Sequence, residues 1–505
     1  MLLNLKCLSA GWCLAAIAAS LSPAAASDLR VIQAVRNNDT QLVRRLLKQH
    51  ADVKATQGDG ATALHWAAHL DNVAAADLLI RAGARVNAAN DDGATPLYLA
   101  CMNHSAPMVE RLLAGGADAN AKLLSGETAL MTCARTGDAT AVKALLVHGA
   151  SVNAKESAHH QTALMWAAAE AHPEAVQMLL EFGADLRARS DAYPQTVVGE
   201  QTQRAGREKL NYTVLRGGFT PLLFTARSGD VESARQLLEK GANANDSLPD
   251  GMTALVLAAH SGNGKVGAVL LEKGADPNAA EIGYTALHAA VLRSDLELVK
   301  ALLAHGANPN VPMTKGTPVR RDNTDFNLLA PLVGATPYLL AAKFLEPEIM
   351  RALKAGGADA EIAMPNGITP LMLAAGIGSG PNQSRRGIAV IDFGKVEPES
   401  QVLGTVQTAV SLGADVNVAN GDGDTALHGA AVLGYDTVVQ FLADHGAQLN
   451  AKNKRGLTPL AALLARGARR VPADAENGAD LTGAPARAVP HASTVALLRR
   501  LGATQ

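Results

Sequence analysis

Residues 126–154 read GETALMTCARTGDATAVKALLVHGASVNA and contain two short helix patterns separated by a break. Thr128 precedes the first pattern, where its hydroxyl can accept a backbone N–H that the helix start leaves unpaired. Gly137 and Asp138 interrupt the chain, and Asp138 can cap a second helix whose apolar residues recur at helical spacing. Gly149 follows at a position suited to left-handed backbone conformation. The stretch predicts a helix–turn–helix unit.

The same pattern recurs along the chain, each time marked by a threonine followed by Pro-Leu, Ala-Leu or a similar pair. Successive threonines are 32 to 34 residues apart, except for three intervals of 58, 51 and 56 residues. A period in the low thirties is typical of one unit stacked many times, each burying its apolar face against its neighbours. The long intervals indicate insertions. The threonines are Thr62, Thr95, Thr128, Thr162, Thr220, Thr253, Thr285, Thr336, Thr369, Thr425 and Thr458.

This recurring unit resembles the ankyrin repeat. The resemblance rests on Thr62-Ala-Leu-His65, Thr95-Pro-Leu97, Thr285-Ala-Leu-His288 and Thr425-Ala-Leu-His428, and on the endings His148-Gly-Ala150, Gly274-Ala-Asp-Pro-Asn278, His305-Gly-Ala-Asn308 and His445-Gly-Ala447. It implies an all-α repeat solenoid, an ankyrin-repeat stack of helix-turn-helix units with β-hairpin-like finger loops, several loop insertions and a concave groove. It also implies a non-enzymatic scaffold that binds proteins.

The period and the insertions together predict the boundaries along the chain. We expect a signal peptide at 1–26 and an ankyrin-repeat domain at 27–505. The predicted repeats span 28–57 (a degenerate cap), 60–89, 93–122, 126–155, 160–189, 218–247, 251–280, 283–312, 334–363, 367–419, 423–452 and 456–505. The predicted insertions span 191–217, 311–333, 376–400 and 468–491.

The N-terminal residues have the pattern of a secretory signal. Lys6 precedes a mostly small and apolar run from Leu8 to Leu21, and small residues end at Ala26, where we expect cleavage. The alternative is a frayed first helix. The apolar run is too short to span a bilayer well and no later stretch qualifies, so we expect a periplasmic or secreted protein with no membrane span after cleavage.

Composition narrows the range of partners. The formal net charge is -2, from 45 basic and 47 acidic residues, so no global field favours nucleic acid or anionic lipid. Aromatic residues make up 3% of the chain, which also disfavours platforms for base stacking. We expect a monomer whose partners are proteins, with no nucleic-acid partner.

Cleavage at Ala26 leaves two cysteines, Cys101 and Cys133, on the first helices of adjacent repeats. Packed helices lie ~8–10 Å apart, which exceeds the Cα separation that a disulfide accepts. We therefore expect two buried thiols that pack as small apolar side chains, with a disulfide as the alternative.

The insertions are the parts of the chain whose sequence is not constrained by the stacking of repeats. The first two follow second helices and therefore lengthen finger loops above the groove, while the third and the C-terminal loop lie at the opposite edge. Tyrosine, arginine and phenylalanine are favoured at protein interfaces. The predicted partner-binding residues are Tyr193 and Tyr212 in the first insertion and Arg320, Arg321 and Phe326 in the second. The alternative is a solvated loop with incidental aromatic residues.

Two motifs match the patterns of a dinucleotide-binding site and of a metal site. Gly262-Asn-Gly264-Lys-Val-Gly267 matches the dinucleotide-binding pattern, but it joins two predicted helices instead of following a strand. His65 and His69 could share one helix face, but His65 occupies the turn position of the resembled repeat. We expect no catalytic residue, no metal and no cofactor.

These patterns predict an exported scaffold that does no chemistry. Two alternatives of other kinds are a chaperone-like protector of a secreted redox enzyme and an effector delivered into another cell. An enzyme with its site in the insertions is the least expected, because the two finger insertions contain acidic residues but neither histidine nor cysteine.

Overall fold

A computed structural model describes residues 28–203, 206–317, 326, 328, 330–377, 398–468 and 491–505. The signal-peptide prediction lies outside these residues, as do most of the third insertion and of the C-terminal loop. The described chain forms two compact units, one ending at Ala121 and one beginning at Lys122. Both are built from pairs of short helices. This all-α repeat architecture is the one predicted from the sequence.

In the N-terminal unit the first helices of the pairs pack in one row and the second helices pack in another. Valine, leucine and alanine side chains fill the space between the rows, and Val35, Leu64 and Leu79 are fully buried. The helices are α1 Arg30–Arg36, α2 Thr40–Lys48, α3 Ala63–His69, α4 Val73–Arg81, α5 Pro96–Met102 and α6 Ala106–Ala114.

The C-terminal unit repeats the two rows. Its first helices are α7 Ala129–Thr136, α9 Ala163–Ala169, α11 Pro221–Ser228, α13 Ala254–Ser261, α15 Ala286–Leu292, α17 Pro337–Lys343, α19 Pro370–Ala374, α21 Ala426–Leu433 and α23 Pro459–Ala468. Its second helices are α8 Ala139–Val147, α10 Pro173–Glu181, α12 Val231–Glu239, α14 Gly264–Glu272, α16 Leu296–Ala304, α18 Pro347–Ala355, α20 Glu399–Ser411, α22 Asp436–Asp444 and α24 Ala492–Leu501.

Local chemistry sets the helix ends. The Thr128 hydroxyl accepts from Met131 N at 3.3 Å at the start of α7, and the Asp138 carboxylate accepts from Ala141 N at 2.9 Å at the start of α8. Gly137 ends α7 with φ of +80°, a conformation that costs glycine little. Each such cap stabilises a helix by ~1 kcal/mol.

Asparagine side chains bond each repeat to the next. Asn278 donates from Nδ2 to Gly306 O at 3.0 Å, and its Oδ1 accepts the backbone N–H of Asn308 at 2.7 Å. Asn310 makes the same two bonds across the second insertion: its Nδ2 donates to Gly357 O, and its Oδ1 accepts from Asp359 N. The stack therefore continues past that insertion. Asparagines with equivalent bonds are Asn87, Asn153, Asn245, Asn417 and Asn450.

The first insertion is a long β-hairpin. Strands β1 Ala192–Gln203 and β2 Gly206–Gly217 pair antiparallel, from Ala192 opposite Gly217 to Gln203 opposite Gly206. Arg189 fixes the hairpin base: its Nη1 donates to Gly218 O at 2.9 Å and to Ser247 O at 3.0 Å, and its Nη2 pairs with Asp246. Arginine can serve these acceptors together because its donors lie in one rigid plane.

The second insertion is closed at its base. Thr317 N donates to Leu328 O at 2.8 Å, and Leu328 N donates to the Thr317 hydroxyl at 2.9 Å. Met313 and Leu328 are buried, and a 3₁₀ turn at Ala330–Leu332 leads back to the next repeat. Because both ends are bonded together, the repeats on either side can stack without it.

Cys101 and Cys133 are buried and both are disulfide-bonded. The prediction of two free thiols is therefore wrong. It used an average distance between packed helices, and that distance depends on the side chains at the contact.

Candidate protein-binding surface

Three of the first helices, α3, α15 and α21, begin at a turn in which threonine and histidine bond reciprocally. The Thr62 N–H donates to His65 Nδ1 at 3.1 Å, so Nδ1 is the acceptor and Nε2 carries the proton. His65 Nε2 donates to Ala94 O at 2.9 Å, in the turn of the next repeat. The role is structural, as expected for this motif. His288 and His428 make the same bonds.

Burial opposes protonation of these histidines. It lowers the pKa of His65 and His428 below the ordinary value, and it lowers the pKa of the fully buried His288 to about 4. A neutral imidazole that is already bonded at both nitrogens is unsuited to proton transfer near neutral pH. Among the residues that the structure describes, no group of three or more His, Cys, Asp or Glu side chains could hold a metal ion.

The dinucleotide-like glycines serve helix packing. A Cβ on Gly264 would lie 2.0 Å from Asp295 Oδ2, and one on Gly267 would lie 2.9 Å from Leu298 Cδ1. Both glycines therefore let α14 approach α16 closely. The motif follows helix α13 instead of a strand, so it lacks the context of a nucleotide site.

At the C-terminal ends of three first helices of the C-terminal unit, α7, α11 and α15, arginines lie over aromatic rings. In the C-terminal unit the Arg135 Cζ lies 5.4 Å from the Trp166 ring centroid. The Arg293 Cζ lies 4.1 Å from the ring of Phe326. Arg227 on α11 stacks in the same way, with its Cζ 4.7 Å from the Phe219 ring and 5.0 Å from the Phe224 ring. We call the surface formed by these arginines and the rings beneath them the first-helix face.

The N-terminal unit has the same arrangement within itself. The Arg36 Cζ lies 4.7 Å from the Trp66 ring, and Trp66 Nε1 donates to Gln57 Oε1 at 2.7 Å. In the C-terminal unit Trp166 Nε1 likewise donates to Gln161 Oε1 at 2.8 Å. Each indole thus has its polar edge satisfied by the preceding turn and one face covered by a guanidinium.

The structure places the described members of the predicted site at two positions. Tyr193 is 42% exposed at the hairpin base, and its ring stacks on His159 at 5.7 Å. Beside it, His160 has a φ of +53° and its Nδ1 lies 2.6 Å from Asp191 Oδ2. Phe326 is half-buried against Arg293, the residue that follows α15. The Tyr212 side chain, Arg320 and Arg321 lie outside the described residues.

Sequence reasoning missed the arginine–aromatic stacks of the first-helix face. One signal was available: Trp66 and Trp166 both lie four residues after a repeat threonine, and Arg135 and Arg227 both lie seven residues after one. An alignment of the repeats on their threonines would have shown that aromatic and cationic residues share a face.

Comparison with known proteins identifies the family. Residues 31–123, 106–190, 205–281, 222–313 and 400–470 match the family model for ankyrin repeats in three copies. These segments cover more than half of the chain, so the protein belongs to the ankyrin-repeat family. Repeats of this family generally mediate protein–protein interactions.

Individual relatives match only in part. Protein PhlB of Serratia liquefaciens is 44% identical over 69 residues, which are 14% of this chain and 30% of that protein. The chain thus spans less than a third of that relative. The crystal structure of the human ASB11 ankyrin repeat domain aligns with a TM-score of 0.39 at 25% identity, over 49% of this chain and 100% of that chain. Among the described helices, none is long and apolar enough to cross a membrane.

Proposed function

We propose that this protein is a non-enzymatic scaffold that binds a partner protein through the first-helix face and the finger loops. The observation that carries the proposal is the concentration of arginine–aromatic stacks on that face. Arginine, tryptophan and tyrosine supply much of the binding energy at protein interfaces. A surface whose side chains are already fixed by stacking loses little conformational entropy when it binds.

The buried polar groups support a scaffold over an enzyme. His65, His288 and His428 are held by turn bonds. The Glu156 carboxylate accepts from the backbone N–H groups of Ala158, His159 and Gln161 and so shapes the loop before α9. Each of these groups already has a structural partner, which makes none of them a good candidate for acid–base chemistry.

The finger insertions can be tested by partner capture. Replacing residues 196–213 with Asn-Gly keeps the hairpin base and Arg189 but removes its outer part, since Asn-Gly favours a two-residue turn. A second variant, Tyr193→Ala, removes the exposed ring alone. We expect both variants to recover less of the partner from a native envelope extract than the wild type does. Equal recovery with both variants would exclude the hairpin from binding.

We also propose that the mature protein begins at Ser27 and works in an oxidising compartment, either the periplasm or the exterior. The disulfide state of Cys101 and Cys133 supports this, because protein disulfides persist mainly in such compartments. Mass spectrometry of the native protein after alkylation without reduction should give Ser27 as the first residue and no alkylated cysteine. An intact Met1 with Cys101 and Cys133 both alkylated would contradict export.

A further inference from the structure

Three arginines of the C-terminal unit occupy alternate members of its row of first helices. Arg135 lies on α7, Arg227 on α11, and Arg293 at the end of α15, with α9 and α13 between them. Each guanidinium lies over at least one aromatic ring. We call these three residues the arginine stripe.

The stacked geometry leaves the guanidinium plane suited to carboxylates. A ring beneath the guanidinium contacts its face, while the N–H donors lie in its plane and point outward from its edge. Arg135 and Arg227 remain exposed, so stacking desolvates one face only. Fixing the plane in advance favours bidentate pairing with a carboxylate, which is the strongest ion-pair geometry available to arginine.

Basic side chains predominate at the helix position that Arg135 and Arg227 share. The position seven residues after the repeat threonine carries no carboxylate between α7 and α17, and it includes His260 and Lys343. The described carboxylates close to the stripe include Glu346, whose Oε1 accepts from the hydroxyl of Ser294, the residue next to Arg293. Glu127 Oε1 is 3.8 Å from Arg135, and the charge of Glu170 opposes the lowering of the Arg227 pKa by burial. A pair at 3.8 Å between partly exposed groups is weak, so it competes little with an incoming carboxylate.

We propose that the arginine stripe binds an extended acidic segment of a partner protein, whose carboxylates pair with Arg135 and Arg227, while Arg293, whose Nε donates to His260 O at 2.6 Å, extends the positive charge of the stripe. This inference rests on the proposed scaffold function and specifies the chemistry of its ligand. Neighbouring packed helices lie ~8–10 Å apart, so the stripe is roughly 30–40 Å long. An extended chain rises ~3.3 Å per residue, which makes the segment about ten to twelve residues with acidic side chains about every five.

The molecule contains its own reporter for this test. After cleavage at Ala26 its tryptophans are Trp66 and Trp166, and the Trp66→Phe variant leaves Trp166 beneath Arg135 as the single emitter. The probes are three 15-residue peptides that alternate serine with glutamate, glutamine or lysine. We expect the glutamate peptide to change Trp166 emission saturably, and we expect its affinity to fall as salt rises.

Substitution identifies the residues that bind. Arg135→Gln with Arg227→Gln should weaken binding of the glutamate peptide by about tenfold or more, because two charge-assisted pairs are lost. Arg135→Lys keeps the charge but lacks the paired planar donors of arginine, so it should weaken peptide binding less than the double variant does. Arg235→Gln is the matched control, since Arg235 lies on second helix α12 and should leave binding unchanged. Unaltered circular dichroism and melting would show that the variants fold.

Several outcomes would overturn the inference. Equal binding of the glutamine peptide, tighter binding of the lysine peptide, or unchanged affinity in the double variant would each exclude recognition by the stripe. Tighter binding of a 15-residue oligothymidylate than of the glutamate peptide would assign the stripe to nucleic acid. If these peptides fail while native partner capture succeeds, only the acidic chemistry is wrong. If capture also fails, the scaffold function itself is wrong.

Discussion

His288 Nε2 donates to Ala335 O at 3.3 Å, although the two residues are 47 positions apart and the second insertion lies between them. The imidazole is fully buried, and its Nδ1 accepts from Thr285 N at 3.2 Å. One neutral side chain thus fixes the turn of its own repeat and joins it to the next repeat. The insertion is accommodated because these bonds hold the repeats on both sides in contact.

Acid should remove this stabilisation. Burial lowers the pKa of His288 from 6.5 to about 4, so the folded state binds fewer protons than the unfolded state. The contribution is complete above pH 6.5 and is lost as the pH falls toward 4. In urea unfolding followed by circular dichroism, the stability difference between wild type and His288→Gln should shrink by about 2–3 kcal/mol between pH 7.5 and 4.5. A difference that does not change with pH would contradict this role.

The exposed His305 provides the control for the His288 substitution. Its Nδ1 bonds to Ala301 O within its own helix, and this side-chain bond does not cross to another repeat. His305→Gln should therefore break no bond between repeats and should cost less stability than His288→Gln in urea unfolding at pH 7.5.

Two glycine-to-alanine substitutions should change stability in opposite directions. A Cβ at Gly264 would lie 2.0 Å from Asp295 Oδ2, whereas a Cβ at Gly404 in α20 meets no heavy atom within 4 Å. Gly404→Ala should stabilise by about 0.5–1 kcal/mol because alanine favours the helix. Gly264→Ala should destabilise, because α14 must move away from α16. Melting temperatures with the same sign for both variants would contradict the close packing of these helices.

The asparagine bonds test whether the second insertion weakens the stack. Asn278 and Asn310 make equivalent pairs of bonds, but only those of Asn310 cross the insertion. Each substitution by alanine should cost about 1–2 kcal/mol in urea unfolding. The two losses should agree within ~0.5 kcal/mol. A much smaller loss for Asn310→Ala would mean that the repeats separate at the insertion.

Arg189 should be sensitive to replacement by lysine. Lysine can keep the ion pair with Asp246, but a single ammonium cannot also serve the Gly218 and Ser247 carbonyls in the planar geometry of arginine. Arg189→Lys should lower stability by about 1–2 kcal/mol and speed proteolysis at the hairpin base. Arg187→Lys, at an exposed position two residues earlier, should change neither property. Equal effects of the two variants would mean that Arg189 does not anchor the hairpin.

The repeat architecture could be predicted because its causes are local and recur. Thr128 and Asp138 cap their helices through hydroxyl and carboxylate groups three residues from the N–H groups they accept, and that spacing is visible in the sequence. The threonine motif recurs eleven times, so helix boundaries that are ambiguous in one repeat can be assigned from the others. The bonding of His65 within its turn followed from the same motif.

The candidate surface could not be predicted as readily, because it depends on contacts between repeats. Arg135 and Trp166 are 31 positions apart, and neither residue is unusual within its own helix. The disulfide state of Cys101 and Cys133 was not predicted, because the prediction used only an average spacing of packed helices. Tyr193 and Phe326 remain predicted contacts, and their role depends on the partner.

Site-specific photo-crosslinking tests the central claim that a partner binds the first-helix face. A benzophenone amino acid would replace Ala169, at the end of first helix α9, or Val147, which is 64% exposed at the end of second helix α8. After irradiation in the native envelope fraction, we predict a protein adduct at position 169 and none at position 147. An adduct at position 147 alone, or no adduct at position 169 when the partner co-purifies, would contradict the claim.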